Sequence, residues 1–265
     1  MPNTATTLKT RIKNGETLAG LFVSELLSPN LGAFFDIAGY DFALFDLEHC
    51  PFTLRDLAGI LPNFNGRRCR PMARVPAARR EFIGPLLDLG VAGIMVPMVE
   101  TPEQVREAVS LMKYPPAGRR GSHFGTPHTG FQMPDRDTFT RDANDNILLV
   151  VQIETAKGLA SLDAILAEPG IDVAFAGNTD LALSMGLPND LEKGPVCDAV
   201  RRILQTAKAR GIPGGGNFTD PKFVGKFRDD GLRFVMLDSE LGWFLEGLKL
   251  GRQRAGFPEV LKIQF

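Results

Sequence analysis

The sequence predicts an α/β fold, a single (β/α)8 TIM barrel with its active site at the C-terminal ends of the strands, on three observations. Eight short apolar runs bounded by turn residues alternate with segments of helical periodicity. The run ends are evenly spaced: Asp46 to Arg74 is 28 residues, Glu154 to Asp180 is 26 and Gly216 to Asp238 is 22. Ionisable residues recur at one place, at or just past the end of a run. A βα unit takes about 30 residues and eight fill about 250, which suits a chain of 265. A doubly wound open sheet fits less well, because no glycine-rich dinucleotide turn follows the first strand.

The elements are read in order as follows. Residues 8–16 form a short helix or arm, and 17–22 the first strand. A helix over 29–38 leads to the second strand, 42–46, which runs straight into Asp46-Leu47-Glu48-His49. Thr53 caps a helix whose apolar positions Leu54, Leu57, Ile60, Leu61 and Phe64 share one face. Strand three, 71–75, carries the lone basic residue Arg74, and the helix over 79–89 stops at Gly90. Strand four, 92–97, precedes Thr101-Pro102-Glu103, an N-cap with proline at the first helical position, and a helix to Met112.

Between Tyr114 and Asn146 the periodicity lapses into an irregular insertion that contains His123, Phe124, His128 and Phe131; insertions of this length in compact domains are usually functional or disordered. Residues 147–153 are the strongest strand, apolar on both faces. Glu154 ends it and Thr155 caps the next helix. Strand six, 172–176, is followed by Gly177-Asn178-Thr179-Asp180, then by helical pieces over 180–185 and 192–210. A weak strand over 212–216, a helix from Asp220-Pro221 to Asp229, strand eight over 233–237 and a last helix over about 239–255 complete the chain. No low-complexity linker interrupts it, so residues 1–265 read as one domain.

Composition narrows the function classes. Thirty basic and 31 acidic residues leave a formal charge of −1, without the basic excess on which nucleic-acid or anionic-membrane binding rests. No apolar run approaches the roughly 20 residues that span a bilayer, and residues 1–7 carry no apolar leader, so a cytoplasmic location is expected. Cys50, Cys69 and Cys197 are odd in number and lack CxxC spacing, which implies neither a disulfide framework nor a zinc site.

In a barrel all strands end at one mouth, so His49, Arg74, Gln152, Glu154 and Asp180 converge there although they are far apart in sequence. Glu154 and Asp180 end consecutive strands. Two carboxylates so placed share a proton or hold a hard divalent cation, and magnesium, manganese or cobalt suits the ligand set better than zinc in a chain with three histidines. Such an ion chelates a 2-oxo acid and stabilises charge on its keto oxygen. Arg74 offers a fixed charge and planar donors to the same oxygen, and His49 can move the proton of an alcohol. These parts together make an enolate and pass a proton at the neighbouring carbon, which is aldol chemistry. Glu48 has no role derivable from the sequence.

The runs Phe45-Asp46-Leu47-Glu48-His49, Val96-Pro97-Met98-Val99, Tyr114-Pro115-Pro116-Ala117-Gly118-Arg119-Arg120-Gly121, Gln152-Ile153-Glu154-Thr155 and Gly177-Asn178-Thr179-Asp180-Leu181 resemble the HpcH/HpaI aldolase family. These are the metal-dependent class II pyruvate aldolases of the phosphoenolpyruvate/pyruvate superfamily, and the similarity extends over about residues 8–255. The resemblance implies a metal on Glu154 and Asp180, Arg74 at the pyruvate enolate and His49 as acid/base on the aldehyde-derived hydroxyl. It further implies that Asp88 partners this histidine, that Asp46 joins the polar network and that Gly177, Asn178 and Thr179 bind the substrate carboxylate with Gln152 nearby. The strand count, by contrast, places Asp88 at the far end of a helix. The implied reaction is cleavage of a 4-hydroxy-2-oxo acid to pyruvate, or a close 2-oxo acid, and an aldehyde. The implied assembly is a homohexamer, a trimer of dimers, with the C-terminal helix exchanged between subunits. Ser122-His123-Phe124-Gly125-Thr126-Pro127-His128 and the asparagine at 178 depart from the family pattern, which leaves the acceptor aldehyde open. The competing readings are an acyl-CoA lyase of the citrate lyase beta or malyl-CoA lyase type, a Schiff-base aldolase through Lys157, and a non-catalytic metabolite-binding barrel.

Overall fold

The structure is a computed structural model that describes residues 7–258; the N-terminal residues read above for a leader lie, but for Thr7, outside that range. Its strands are β1 (Leu18–Val23), β2 (Phe42–Asp46), β3 (Arg70–Arg74), β4 (Gly93–Val96), β5 (Leu148–Ile153), β6 (Val173–Ala176), β7 (Gly214–Asn217) and β8 (Leu232–Ser239). They pair in sequence order, all parallel, and β8 closes on β1. The closed α/β barrel expected from the strand spacing is therefore the observed fold.

Both faces of the strands are buried, which explains the unbroken apolar runs of β2 and β5. One set of side chains fills the barrel itself, and a second packs between strands and helices. The inner set is built on Phe42 stacked on Phe234 at 4.0 Å, with Phe175 edge-on to Phe234 at 6.4 Å. Strand β7 looks weak in sequence because its glycines yield space to neighbouring side chains, the Phe175 ring among them. A Cβ on Gly215 would stand 2.7 Å from the Phe175 ring and 3.2 Å from the Phe234 carbonyl.

The helices follow the expected order, with three differences. The stretch after Thr53 is a short α3 (Leu54–Ala58), fixed by a Thr53–Asp56 capping box, and then a separate 3-10 turn, Leu61–Phe64. The helix after Thr155 is two pieces, α7 (Ala156–Ala160) and α8 (Leu162–Ile165). The insertion is not irregular throughout, because its last third is the helix α6 (Arg136–Asn146). None of the residues of α6 is buried, so it has no apolar stripe to betray it, and the Asp135 side chain caps it through Thr138 N–H. The remaining helices are α1 (Leu8–Lys13), α2 (Leu31–Ala38), α4 (Arg80–Asp88), α5 (Pro102–Met112), α9 (Asn178–Met185), α10 (Pro195–Ala209), α11 (Pro221–Arg228) and α12 (Glu240–Arg254). Among the described residues no helix is long and apolar enough to cross a membrane.

Helix α1 closes the end where the strands begin. Its Leu8 and Ile12 join the inner core, and the buried Lys9 ammonium donates to the Ile147 carbonyl and to Asp172, both just ahead of a strand. Asp41, at the start of β2, ties the same end together by accepting Arg11 Nη2 at 2.8 Å, Arg68 Nη2 at 2.8 Å and Ala19 N–H at 2.9 Å. Burial alone would raise the Asp41 pKa, but these donors outweigh it and hold the carboxyl below its ordinary value. A depressed pKa contributes stability that is present above the unfolded value, about 3.9, and is lost as pH falls through the folded value. Asp41→Asn should therefore lower stability at pH 7 by roughly 2–4 kcal/mol. Urea titrations of variant and wild type should converge as the pH is taken below about 4.

Candidate active site

The C-terminal strand ends open at one mouth, and β2 and β3 bring the first pair of groups there in register, Asp46 opposite Arg74. Arg74 is 7% exposed. Its Nε and Nη2 donate to the two Asp46 carboxylate oxygens at 2.9 and 2.7 Å, a bidentate fork. The guanidinium also lies over the Phe22 ring, 4.8 Å from its centroid. Burial opposes the charge on Arg74, yet Asp46 more than restores it. Burial likewise works to raise the Asp46 pKa, and Arg74 together with the Glu48 and His49 backbone N–H groups brings it down instead. Asp46 thus braces Arg74 and the start of the loop, and it meets His49 only through the backbone N–H, at 3.5 Å.

Glu48 stands two residues past Asp46. Its Oε2 is 3.3 Å from Arg74 Nε and 3.6 Å from His49 Nε2, yet this buried oxygen has no hydrogen-bond partner among the described residues. Burial raises the Glu48 pKa, and Asp46 and Asp180 push it the same way. The chain bends directly after β2, with Glu48 N–H donating to Asp46 Oδ1 at 3.0 Å, so no strand alternation in the sequence signals this placement. The His49 side chain is 62% exposed at the rim of the mouth.

Glu154 lies deeper, 2% exposed. Its Oε1 accepts the Met98 N–H at 2.7 Å and its Oε2 accepts the Gln152 amide. Met98 turns that N–H inward by adopting φ of 52°, in the left-handed region. Burial pushes the Glu154 carboxyl up to about 7, with Glu48 and Asp180 adding to the effect while Met98 N–H and Arg74 oppose it. Gln152 Oε1 is buried without a hydrogen-bond partner among the described residues. Gly177 allows the next strand end to approach, since a Cβ there would fall 2.6 Å from Glu154 Oε2.

Gly177 is also the N-cap of α9. No side chain caps this helix, so the amides of its first turn, which holds Asn178, Thr179 and the exposed Asp180, form an anion-attracting end. Asn189 fixes this turn from outside, reaching Asn178 at 3.3 Å and Thr179 at 3.4 Å.

Asp88 is not part of this group. Helix α4 descends from the mouth, so its last residue lies where β4 begins, at the opposite end of the barrel. There Asp88 pairs with Arg120 at 2.8 Å, and its carbonyl is 3.2 Å from His128 Nδ1. Within this chain Asp88 therefore lies away from His49, with which the family resemblance partners it, and its carboxylate is paired with Arg120 instead. Lys157 also points away, exposed and paired with Glu100 at 2.9 Å.

Among the described residues no group of three or more His, Cys, Asp or Glu side chains is arranged to hold a metal ion. The donor set fits a cation in a different way. Glu154, Glu48 and Asp180 crowd negative charge, two acceptor oxygens lack partners, and Arg74 is already neutralised by Asp46. A site of this kind suits an ion that takes few protein carboxylates and completes its shell with substrate oxygens and water.

A closed parallel barrel that presents a fixed guanidinium beside desolvated carboxylates is the frame of a carbon–carbon lyase. The family model described as HpcH/HpaI aldolase/citrate lyase matches residues 18–246, and the chain belongs to that family. It is 32% identical over 235 residues to the hydroxypyruvate/pyruvate aldolase of Roseovarius nubinhibens, covering 89% of this chain and 91% of that protein. It is 33% identical over 240 residues to the 2-keto-3-deoxy-L-rhamnonate aldolase of Klebsiella pneumoniae, covering 91% and 89%. The crystal structure of an HpcH/HpaI aldolase/citrate lyase family protein from Burkholderia cenocepacia superposes with a TM-score of 0.85 at 31% identity, over 94% of this chain and 98% of that one.

Because Lys cannot reproduce the planar fork to Asp46, Arg74→Lys should keep the fold and lose about 100-fold or more in kcat. Circular dichroism and the rate of 2-oxo acid release from a hydroxy-oxo acid would check both halves.

Proposed function

We propose that the protein is a divalent-metal-dependent aldolase that reversibly cleaves a 4-hydroxy-2-oxo acid to pyruvate, or a close 2-oxo acid such as hydroxypyruvate, and an aldehyde. The observation that carries this reading is the buried Glu154, raised to about 7 among other carboxylates and set beside a guanidinium whose position and charge are fixed. The activities for which the two aldolase relatives are named agree with it.

Glu154 and Asp180 would hold magnesium, manganese or cobalt, and the bound ion supplies Lewis-acid polarisation of the substrate's keto oxygen. Arg74 spends Nε and Nη2 on Asp46, so Nη1 is the nitrogen left to meet that oxygen as it gains charge. The amides of the α9 N-terminus receive the substrate carboxylate, with Gln152 beside it. In cleavage His49 takes the proton of the C4 hydroxyl, the C3–C4 bond breaks, and its electron pair passes into the enolate; the reverse transfers make the bond. Glu48, next to His49, steadies the imidazolium that results. A Schiff-base route has no support, because Lys157 is exposed and occupied by Glu100.

The assembly is proposed as a homo-oligomer joined through α12. That helix exposes Trp243, Phe244, Leu248 and Leu250, each 45–53% accessible. Light scattering of the purified protein would read its mass.

Pyruvate methyl protons should exchange with deuterated water when manganese is added, and the absence of exchange with any divalent metal would sink the reading. Glu154→Ala should abolish metal-dependent turnover. His49→Ala should slow aldol cleavage at least ten-fold more than pyruvate exchange, because only cleavage needs the hydroxyl proton moved; equal losses would refute the role given to His49.

A further inference from the structure

Glu240, the first residue of α12, is 6% exposed and takes no part in the chemistry above. Its carboxylate sits in a concave run of backbone. Oε1 accepts the N–H groups of Ser24 at 2.9 Å, Glu25 at 2.6 Å and Leu26 at 2.7 Å. Oε2 accepts Ser24 N–H at 3.0 Å and its hydroxyl at 3.2 Å. Three successive amides aimed at one oxygen form a nest of the kind that binds anions, and here the anion is the protein's own.

The junction is shaped to deliver it. Asp238, a non-glycine residue at φ of 69°, turns the chain out of β8 and its carboxylate accepts Ser239 N–H at 2.7 Å. Ser239 caps α12 through Gly242 N–H at 3.1 Å. Gly242 leaves room for the Asp238 carboxylate, which would have to shift for a Cβ at 2.8 Å from its Oδ2. Backbone strain of this sort persists where the surroundings enforce it.

The nest begins one residue past β1, and β1 carries Phe22, whose ring supports the Arg74 guanidinium at 4.8 Å. Phe22 is itself in register with Ser239, beyond a shift in the pairing of β1 with β8. The regular ladder is thus interrupted just where the ring must be placed, and Glu240 clamps the chain immediately beyond.

We propose that Glu240 is a positioning residue for the aldolase reaction: its carboxylate, bound in the amide nest of residues 24–26, fixes the end of β1 and so holds Phe22 against Arg74. This rests on the enolate role given to Arg74, and the experiment separates the two. Glu240→Ala removes the equivalent of one acetate molecule and leaves the nest open. It should lose at least ten-fold in kcat for manganese-dependent pyruvate exchange at saturating pyruvate. Added acetate should restore part of that rate, and it should raise the melting temperature of this variant without raising that of the wild type.

Glu240→Gln keeps the shape but not the charge, so it should fold, lose kcat without a matching rise in KM, and gain nothing from acetate. If Glu240→Ala folds only when acetate is present, the nest is supported by that fact. A wild-type rate in folded Glu240→Gln overturns the proposal, as does indifference of Glu240→Ala to acetate in both rate and melting temperature. If the wild type itself exchanges no pyruvate protons, the enolate reading fails, and the acetate-dependent melting temperature still decides whether residues 24–26 bind an anion.

Discussion

The bidentate pair between Arg74 and Asp46 is the interaction on which the mouth of the barrel depends. Two charges in a low-dielectric site are expensive to desolvate, and only good geometry with further hydrogen bonds offsets that. Here the geometry comes from strand register, since the two residues face each other across β2 and β3. The further bonds come from the backbone after β2, where Glu48 N–H donates to Asp46 at 3.0 Å. A one-residue slip of either strand would turn one charge toward the helices and leave the other alone. The pair therefore specifies the register of the sheet as well as the direction in which the guanidinium faces.

Asp46 takes the bidentate face of Arg74, and what remains of that charge only partly offsets the burial of the other carboxylates of the mouth. Glu48 and Glu154 both titrate above their ordinary values because burial, with repulsion from neighbouring carboxylates, outweighs the opposing pull of Arg74. A group in this state gains from any partner that brings positive charge, which is what the proposed divalent ion would supply. Stability and function pull in opposite directions here, as is common where a site must be ready for a ligand.

Much of this was legible in the sequence, and the residues that were not have physical reasons. The barrel followed from apolar runs at unit spacing, and the convergence of Arg74, Gln152, Glu154 and Asp180 followed from parallel strands ending on one side. Strand β7 read as weak because its glycines make room for the side chains of Leu204, Phe175 and Phe218, brought against it from other elements and from the loop that follows. Helix α6 was hidden because it buries nothing, so capping by Asp135 was its one signal. Glu48 lacked a role because its meaning lies in an unpaired oxygen, which depends on what surrounds it. Glu240 carries no local signal, because the five hydrogen bonds to its carboxylate come from residues more than 200 positions away in sequence. Strand counting placed Asp88 at the far end of a helix, and it is the last residue of α4.

The barrel interior has a kinetic consequence. Stacked aromatic rings fill it and α1 packs against its lower end, so the mouth is the doorway through which a ligand reaches the strand ends. Along that doorway the proposed groups are graded in depth, from Glu154 at 2% and Arg74 at 7% exposure to a His49 side chain at 62%. In the proposed reaction the 2-oxo acid occupies the inner position and the aldehyde the outer one. Cleavage then releases its fragments in a set order, aldehyde first, and condensation loads them in reverse.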